Sequence, residues 1–79
     1  MGDGLDALDR MFAEALKLPS GQIADSMAFG ETPGWDSLTH IHLMEELERR
    51  YGVTIGDEEL LDLTTVAKVR EYVRKAAGA

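Results

Sequence analysis

Residues 34–55 read Gly34-Trp35-Asp36-Ser37-Leu38-Thr39-His40-Ile41-His42-Leu43-Met44-Glu45-Glu46-Leu47-Glu48-Arg49-Arg50-Tyr51-Gly52-Val53-Thr54-Ile55. From Ser37 to Tyr51 the apolar residues recur at helical spacing, and Gly52 supplies the C-terminal stop. With successive residues about 100° apart, Leu43, Leu47 and Tyr51 fall on one side, and Leu38, Ile41 and Met44 form an adjacent stripe. Together the two cover about 220°, more than a core-facing helix needs. Two readings follow. Either neighbours bury both stripes, or Leu38, Ile41 and part of Met44 stay accessible as a docking edge. Glu45 and Glu48 fall on or beside that edge. An apolar strip rimmed by acids suits a partner whose apolar groove is rimmed by Lys and Arg.

Working outward, Leu5, Leu8, Phe12, Ala15 and Leu16 recur at helical spacing and predict a first helix from about Asp3 to Leu18. Asp3 and Asp6 lie where the helix dipole favours acids, and Pro19-Ser20-Gly21 is the expected stop. Residues 19–36 form a long connection, with Thr32-Pro33-Gly34 as a turn and Ile23, Met27, Ala28 and Phe29 expected to pin it to the core. A connection of this length in a compact domain tends to be functional. After the central helix, Val53-Thr54-Ile55-Gly56 has no strand to pair with and reads as loop. Asp57 to about Leu61 makes one short helical turn. Thr64 or Thr65 then caps a last helix from Val66 to about Ala76, with Val66, Val69, Tyr72 and Val73 as its apolar stripe. The expected architecture is all-α: a small four-helix bundle of three main helices and one short one, with a long first loop, as a single domain over residues 1–79.

Charge and composition narrow the function. Among 79 residues, 8 are Lys or Arg and 15 are Asp or Glu, a net charge of −7. That balance argues against binding to a phosphate backbone, so no nucleic-acid partner is expected, and it favours partners with basic surfaces. The absence of cysteine excludes a disulfide framework, a thiolate metal site and a thiol nucleophile. No apolar run approaches the ~18 residues of a membrane span. No basic-then-apolar signal opens the sequence, and Asp6 stands where a myristoylation signal needs Ser or Thr. The expected address is cytoplasmic. Residues 52–65 carry −4, whereas 66–79 carry +3.

Asp36-Ser37 stands where the long loop becomes the central helix. One reading is an N-cap by either side chain, without a capping box, because Thr39 and His40 stand where Glu or Gln would complete one. The other is an exposed, modified Ser37 hydroxyl, whose phosphate would meet the positive end of the helix dipole. His40 and His42 point about 200° apart on a helix and cannot close on one metal ion. By the wheel His40 faces between Leu47 and Tyr51 and is expected to be a packed polar residue, and His42 is expected to face solvent. Asp36, Ser37 and His40 do not make a hydrolase triad, because adjacent Asp and Ser cannot build the acid–His–Ser relay. No twelve-residue calcium loop fits: from Asp25 the third and fifth positions are Met27 and Phe29, and from Asp57 the sixth is Asp62 rather than Gly. No metal site is expected. Trp35, flanked by Gly34 and Asp36, is expected to lie partly exposed over the helix start, in reach of a partner.

The run Gly34-Trp35-Asp36-Ser37-Leu38 opening a helix, followed by Met44-Glu45-Glu46-Leu47-Glu48, Tyr51-Gly52-Val53-Thr54-Ile55, Asp57-Glu58-Glu59 and Leu63-Thr64-Thr65-Val66, resembles an acyl carrier protein over nearly the whole chain. The resemblance implies a 4′-phosphopantetheine arm on Ser37, installed from coenzyme A by a phosphopantetheinyl transferase that Asp36 helps to recognise. It implies that partner enzymes grip Leu38, with Ile41 and Met44 as further recognition positions and Glu48 as an acidic one. Phe29 matches an aromatic that packs into the bundle near the acyl cavity. Cargo would ride on the arm's thiol as a thioester, so the chemistry belongs to the cofactor and visiting enzymes, and the chain itself is not an enzyme.

The chain departs from the fatty-acid-synthase pattern at Trp35, where a small residue is usual, and at Pro33, where an aliphatic is. His42 and Arg49 also occupy positions that are usually acidic. These departures lean toward a free-standing, monomeric carrier for polyketide, nonribosomal-peptide or another specialised biosynthesis. Its partners would be acyltransferase, ligase or synthase enzymes with basic docking surfaces, met through Trp35, Leu38, Ile41, His42, Met44, Glu45 and Glu48. The competing reading is an unmodified helical adaptor that binds a partner through the same edge.

Overall fold

The computed structural model describes residues 4–78, with side chains over 7–76; the expectations at Asp3 and for the side chains of Leu5 and Asp6 lie outside them. Four helices follow in order: α1 Gly4–Leu16, α2 Ser37–Tyr51, α3 Asp57–Asp62 and α4 Val66–Gly78, with one 3-10 turn at Ser20–Gln22. No strand occurs among the described residues, as expected of an all-α bundle with one short helix.

Local chemistry explains each boundary. α1 stops two residues short of the expected end because Lys17 turns into the left-handed region at φ 60°. The Leu18 N–H then reaches back to the Ala13 carbonyl at 3.0 Å, closing the helix in a Schellman-type turn before Pro19 is reached. α2 is capped by Asp36, whose Oδ1 accepts the Thr39 N–H at 3.0 Å, and it ends at Gly52 with φ 67°. α3 opens with three acids that complement its dipole, and the Glu59 carboxylate accepts the Gly56 N–H at 3.1 Å. At α4 the cap is Thr65 rather than Thr64, through the Lys68 N–H at 3.1 Å.

The long connection is strapped down along the α3–α4 junction. Phe29 N–H donates to Thr64 O at 2.9 Å, Val66 N–H to Met27 O at 3.0 Å and Ala67 N–H to Asp25 O at 3.2 Å, around an isolated bridge between Ala28 and Thr65. Ile23 is buried, and Met27 and Ala28 are half-buried. Arg70 of α4 secures the same segment from the other side. Its guanidinium donates to Asp9 of α1 at 2.8 Å, to Asp25 at 2.5 Å and to the Ile23 carbonyl at 3.2 Å.

The core is built from Leu8, Phe12 and Leu16 of α1, Leu43, Met44 and Leu47 of α2, and Val66, Val69 and Val73 of α4. Trp35 is a core residue too, and the expectation of partial exposure is corrected: only 1% of it is accessible. The reason lies in Gly34, which at φ 90° runs its backbone against the end of α1, where a Cβ would sit 3.7 Å from the Leu16 carbonyl. The indole thereby drops between α1 and α2, its ring 5.4 Å from that of Phe12.

Candidate functional site

At the head of α2 the two neighbouring polar side chains divide their tasks. Asp36 holds the cap, and its carboxyl lies below the ordinary value of 3.8, first because of the backbone hydrogen bond from Thr39 and then that residue's hydroxyl. Ser37 is therefore not needed as a cap. Its side chain is exposed on the first turn, and no hydrogen bond engages its hydroxyl among the described residues.

Ser37 lies on the rim of an open trough of about 350 Å³ between α2, α3 and the long connection. The trough is lined by Phe29, His40, Ile41, Leu60, Leu61 and Thr64 besides Ser37. Leu38, Ile41, Leu61 and Phe29 are the large apolar side chains left exposed, at 64%, 45%, 78% and 37%, and three of the four border the trough. An apolar rim this concentrated around one free hydroxyl is the strongest candidate for a functional surface on the molecule.

His40 forms the trough's most buried wall, and it is the one buried polar side chain among the described residues. The Trp35 Nε1–H donates to its Nδ1 at 3.1 Å, while its Nε2 lies 2.8 Å from the Leu60 carbonyl. An indole N–H can only donate, so Nδ1 must accept and Nε2 must carry the proton that Leu60 O receives. One imidazole thus joins the loop before α2 to α3. The packed role expected of His40 holds. His42 faces solvent, as expected, and no metal-binding cluster occurs among the described residues.

The structure sorts the residues of the expected docking edge by exposure alone. Leu38, Ile41 and Glu45 are exposed. Met44 is only 3% accessible, which corrects its place on that edge: it lies one turn after His40, on the face that turns inward. Glu48 is half-buried and has a structural task, since its carboxylate accepts the Ile55 N–H at 2.7 Å and pins the loop between α2 and α3. Phe29 does not enter the bundle. It lies against the outer side of His40, ring centroids 5.1 Å apart, and borders the trough instead. The sequence marks Leu61 only as the end of a short helical turn and Thr64 only as a candidate cap, not as site residues. The available signal was the adjacent apolar pair Leu60-Leu61, set about 100° apart on a short helix with few neighbours to cover both.

A family described as "Phosphopantetheine attachment site" matches residues 6–73. The chain belongs to the acyl carrier protein family. It is 30% identical over 71 residues to the acyl carrier protein of Thermobifida fusca, covering 90% of each chain. It is 35% identical over 71 residues to that of Phytoplasma australiense, covering 90% of this chain and 93% of the other. It is also 35% identical over 54 residues to that of Rickettsia bellii, covering 68% and 67%. Acyl carrier proteins carry a covalently attached 4′-phosphopantetheine and have no catalytic activity of their own; they work with phosphopantetheinyl transferases and biosynthetic enzymes. An exposed, uncommitted hydroxyl at the lip of an apolar trough fits such an arm. No helix among the described residues is long and apolar enough to cross a membrane.

Proposed function

We propose that this acyl carrier protein bears its arm on Ser37 and presents the cargo beside the trough. The observation that carries this is the division of labour at the head of α2. Asp36 alone supplies the cap, which leaves the Ser37 hydroxyl exposed at the positive end of a 15-residue helix. A phosphodiester there benefits from the dipole and nearby backbone N–H groups. Transfer forms the Oγ–phosphorus bond, breaks the pyrophosphate bond of coenzyme A, and releases adenosine 3′,5′-bisphosphate and the hydroxyl proton. When bound, the arm supplies a thiol that holds the acyl group as a thioester.

Partner enzymes dock along Leu38, Ile41 and Leu61, with Asp36, Glu45 and the outer side of Glu48 meeting basic residues and His42 at the margin. Such contacts are brief, as a carrier read by several enzymes in turn requires. Trp35 acts from beneath this surface rather than as part of it. The protein works as a monomeric, single-domain, cytoplasmic carrier, free of nucleic acid. It serves polyketide, nonribosomal-peptide or a related specialised biosynthesis, a reading supported by Trp35 and by the weakly acidic α2.

Intact-protein mass before and after incubation with coenzyme A and a broad-specificity transferase tests the assignment. One added phosphopantetheine, absent in Ser37→Ala, is expected. No gain on a folded sample would leave Ser37 unmodified and favour a helical adaptor acting through the same edge.

A further inference from the structure

In the path from the arm to the bundle's interior stand two side chains tied to each other and to α3. His40 walls the trough next to Ser37 and is 6% accessible; Trp35, 1% accessible, lies behind it against Phe12. Their hydrogen bonds run Trp35 Nε1–H to His40 Nδ1 and His40 Nε2–H to Leu60 O, so the relay also holds α3 against α2. No buried side-chain nitrogen or oxygen among the described residues lacks a partner.

Resting on the carrier reading, we infer that the Trp35–His40–Leu60 relay closes the interior to cargo, so that the acyl group rides in the open trough. An alkyl chain entering between α2 and α3 would have to displace the imidazole. That leaves the buried indole N–H without an acceptor, a costly loss in a low-dielectric interior, and takes the donor from the part-buried Leu60 carbonyl. It would also have to move the largest side chain of a close-packed core. The trough demands neither. Its lining is mostly apolar, at Phe29, Ile41, Leu60 and Leu61, with Ser37 and Thr64 as polar margins, so an acyl group can lie against it without entering the core. Such cargo stays in view of partner enzymes and is not shielded between encounters.

The protein contains a single tryptophan, so its indole N–H gives one resonance that reports on the relay. The test loads the protein from coenzyme A and from octanoyl-coenzyme A, with mass confirming each product, and compares the two forms by nitrogen–proton correlation spectra and thermal unfolding. In the octanoyl form the indole resonance is expected to stay where it is in the arm-only form, with shifts confined to the trough residues and little change in Tm. In Trp35→Leu, which frees volume and removes the donor, octanoylation is expected to raise Tm by roughly 4–8 °C over the arm-only variant. A displaced indole resonance, or a Tm rise of that size in the unaltered protein, would overturn the inference. So would a folded Trp35→Leu that gains nothing from the octanoyl chain. Should Trp35→Leu not fold, the indole resonance of the unaltered protein decides alone. Absence of any mass gain would instead bring down the carrier reading.

Discussion

At Ser37 a hydroxyl is left over because the residue before it has taken the cap. Truncating it should therefore cost little: Ser37→Ala is expected to change unfolding free energy by no more than about 0.5 kcal/mol, the range of an uninvolved surface site. The same change should abolish loading, and denaturant unfolding alongside mass measurement checks both. Asp36 answers to pH in a defined direction. Its carboxyl is depressed in the folded chain by the Thr39 bonds, so the cap's contribution is complete above the unfolded value of 3.8 and is lost as pH falls through the lower folded value. A titration of the Asp36 carboxyl carbon should show a midpoint below 3.8, and the Thr39 amide should follow it. The importance of Asp36-Ser37 was legible in the sequence. Which of the two served as the cap was not, because either side chain can accept from the first turn.

Along the elements, α2 separates an inward face of His40, Leu43, Met44 and Leu47 from an outward edge of Leu38, Ile41 and Glu45. The sequence showed an apolar arc too wide for one interface. Only contact with the neighbouring helices sorted Met44 from Ile41. Glu48 belongs to both sides, and that separates two charge reversals. Glu45→Lys is expected to slow association with a basic partner, most at low salt, with Tm unchanged. Glu48→Lys should slow association and also lower Tm, because the Ile55 N–H loses its acceptor, whereas Glu48→Gln keeps the acceptor and loses only the charge. Association rates at two salt concentrations, set beside melting curves, check all three. At the end of α1, Lys17 holds a left-handed conformation that suits glycine. Lys17→Gly is expected to stabilise the protein by about 0.5–1 kcal/mol, the relief of strain being partly offset by a more flexible unfolded chain.

For the molecule as a whole, Arg70 ties three distant parts together: α4, Asp9 of α1 and the connection at Asp25 and Ile23. Its side chain is only 19% accessible and that of Asp9 28%, so the Asp9 bonds are shielded from water more than a surface pair would be, whereas Asp25 stays exposed. Arg70→Ala should cost about 1–3 kcal/mol, the scale for hydrogen bonds to charged groups, and should loosen residues 23–29 first. Denaturant midpoints and amide exchange across the connection check this. The sequence by itself determined the four helices, the glycine stop of α2, the acidic character and the Asp36-Ser37 pair at the head of α2, because these rest on local spacing, backbone preferences and composition. It also carried the family resemblance, since that lies in short runs at set separations. Only the tertiary structure decided that Trp35 turns inward, that His40 joins it to Leu60, that Arg70 reaches Asp9 across 61 positions, and that Leu61 completes the exposed rim. Each depends on which residues of other elements arrive at the same place. A side chain that is apolar with one polar atom, as an indole is, can be satisfied equally by water or by a buried acceptor, and which it meets is decided by the elements that arrive around it, here α1 behind Gly34 and His40 of α2.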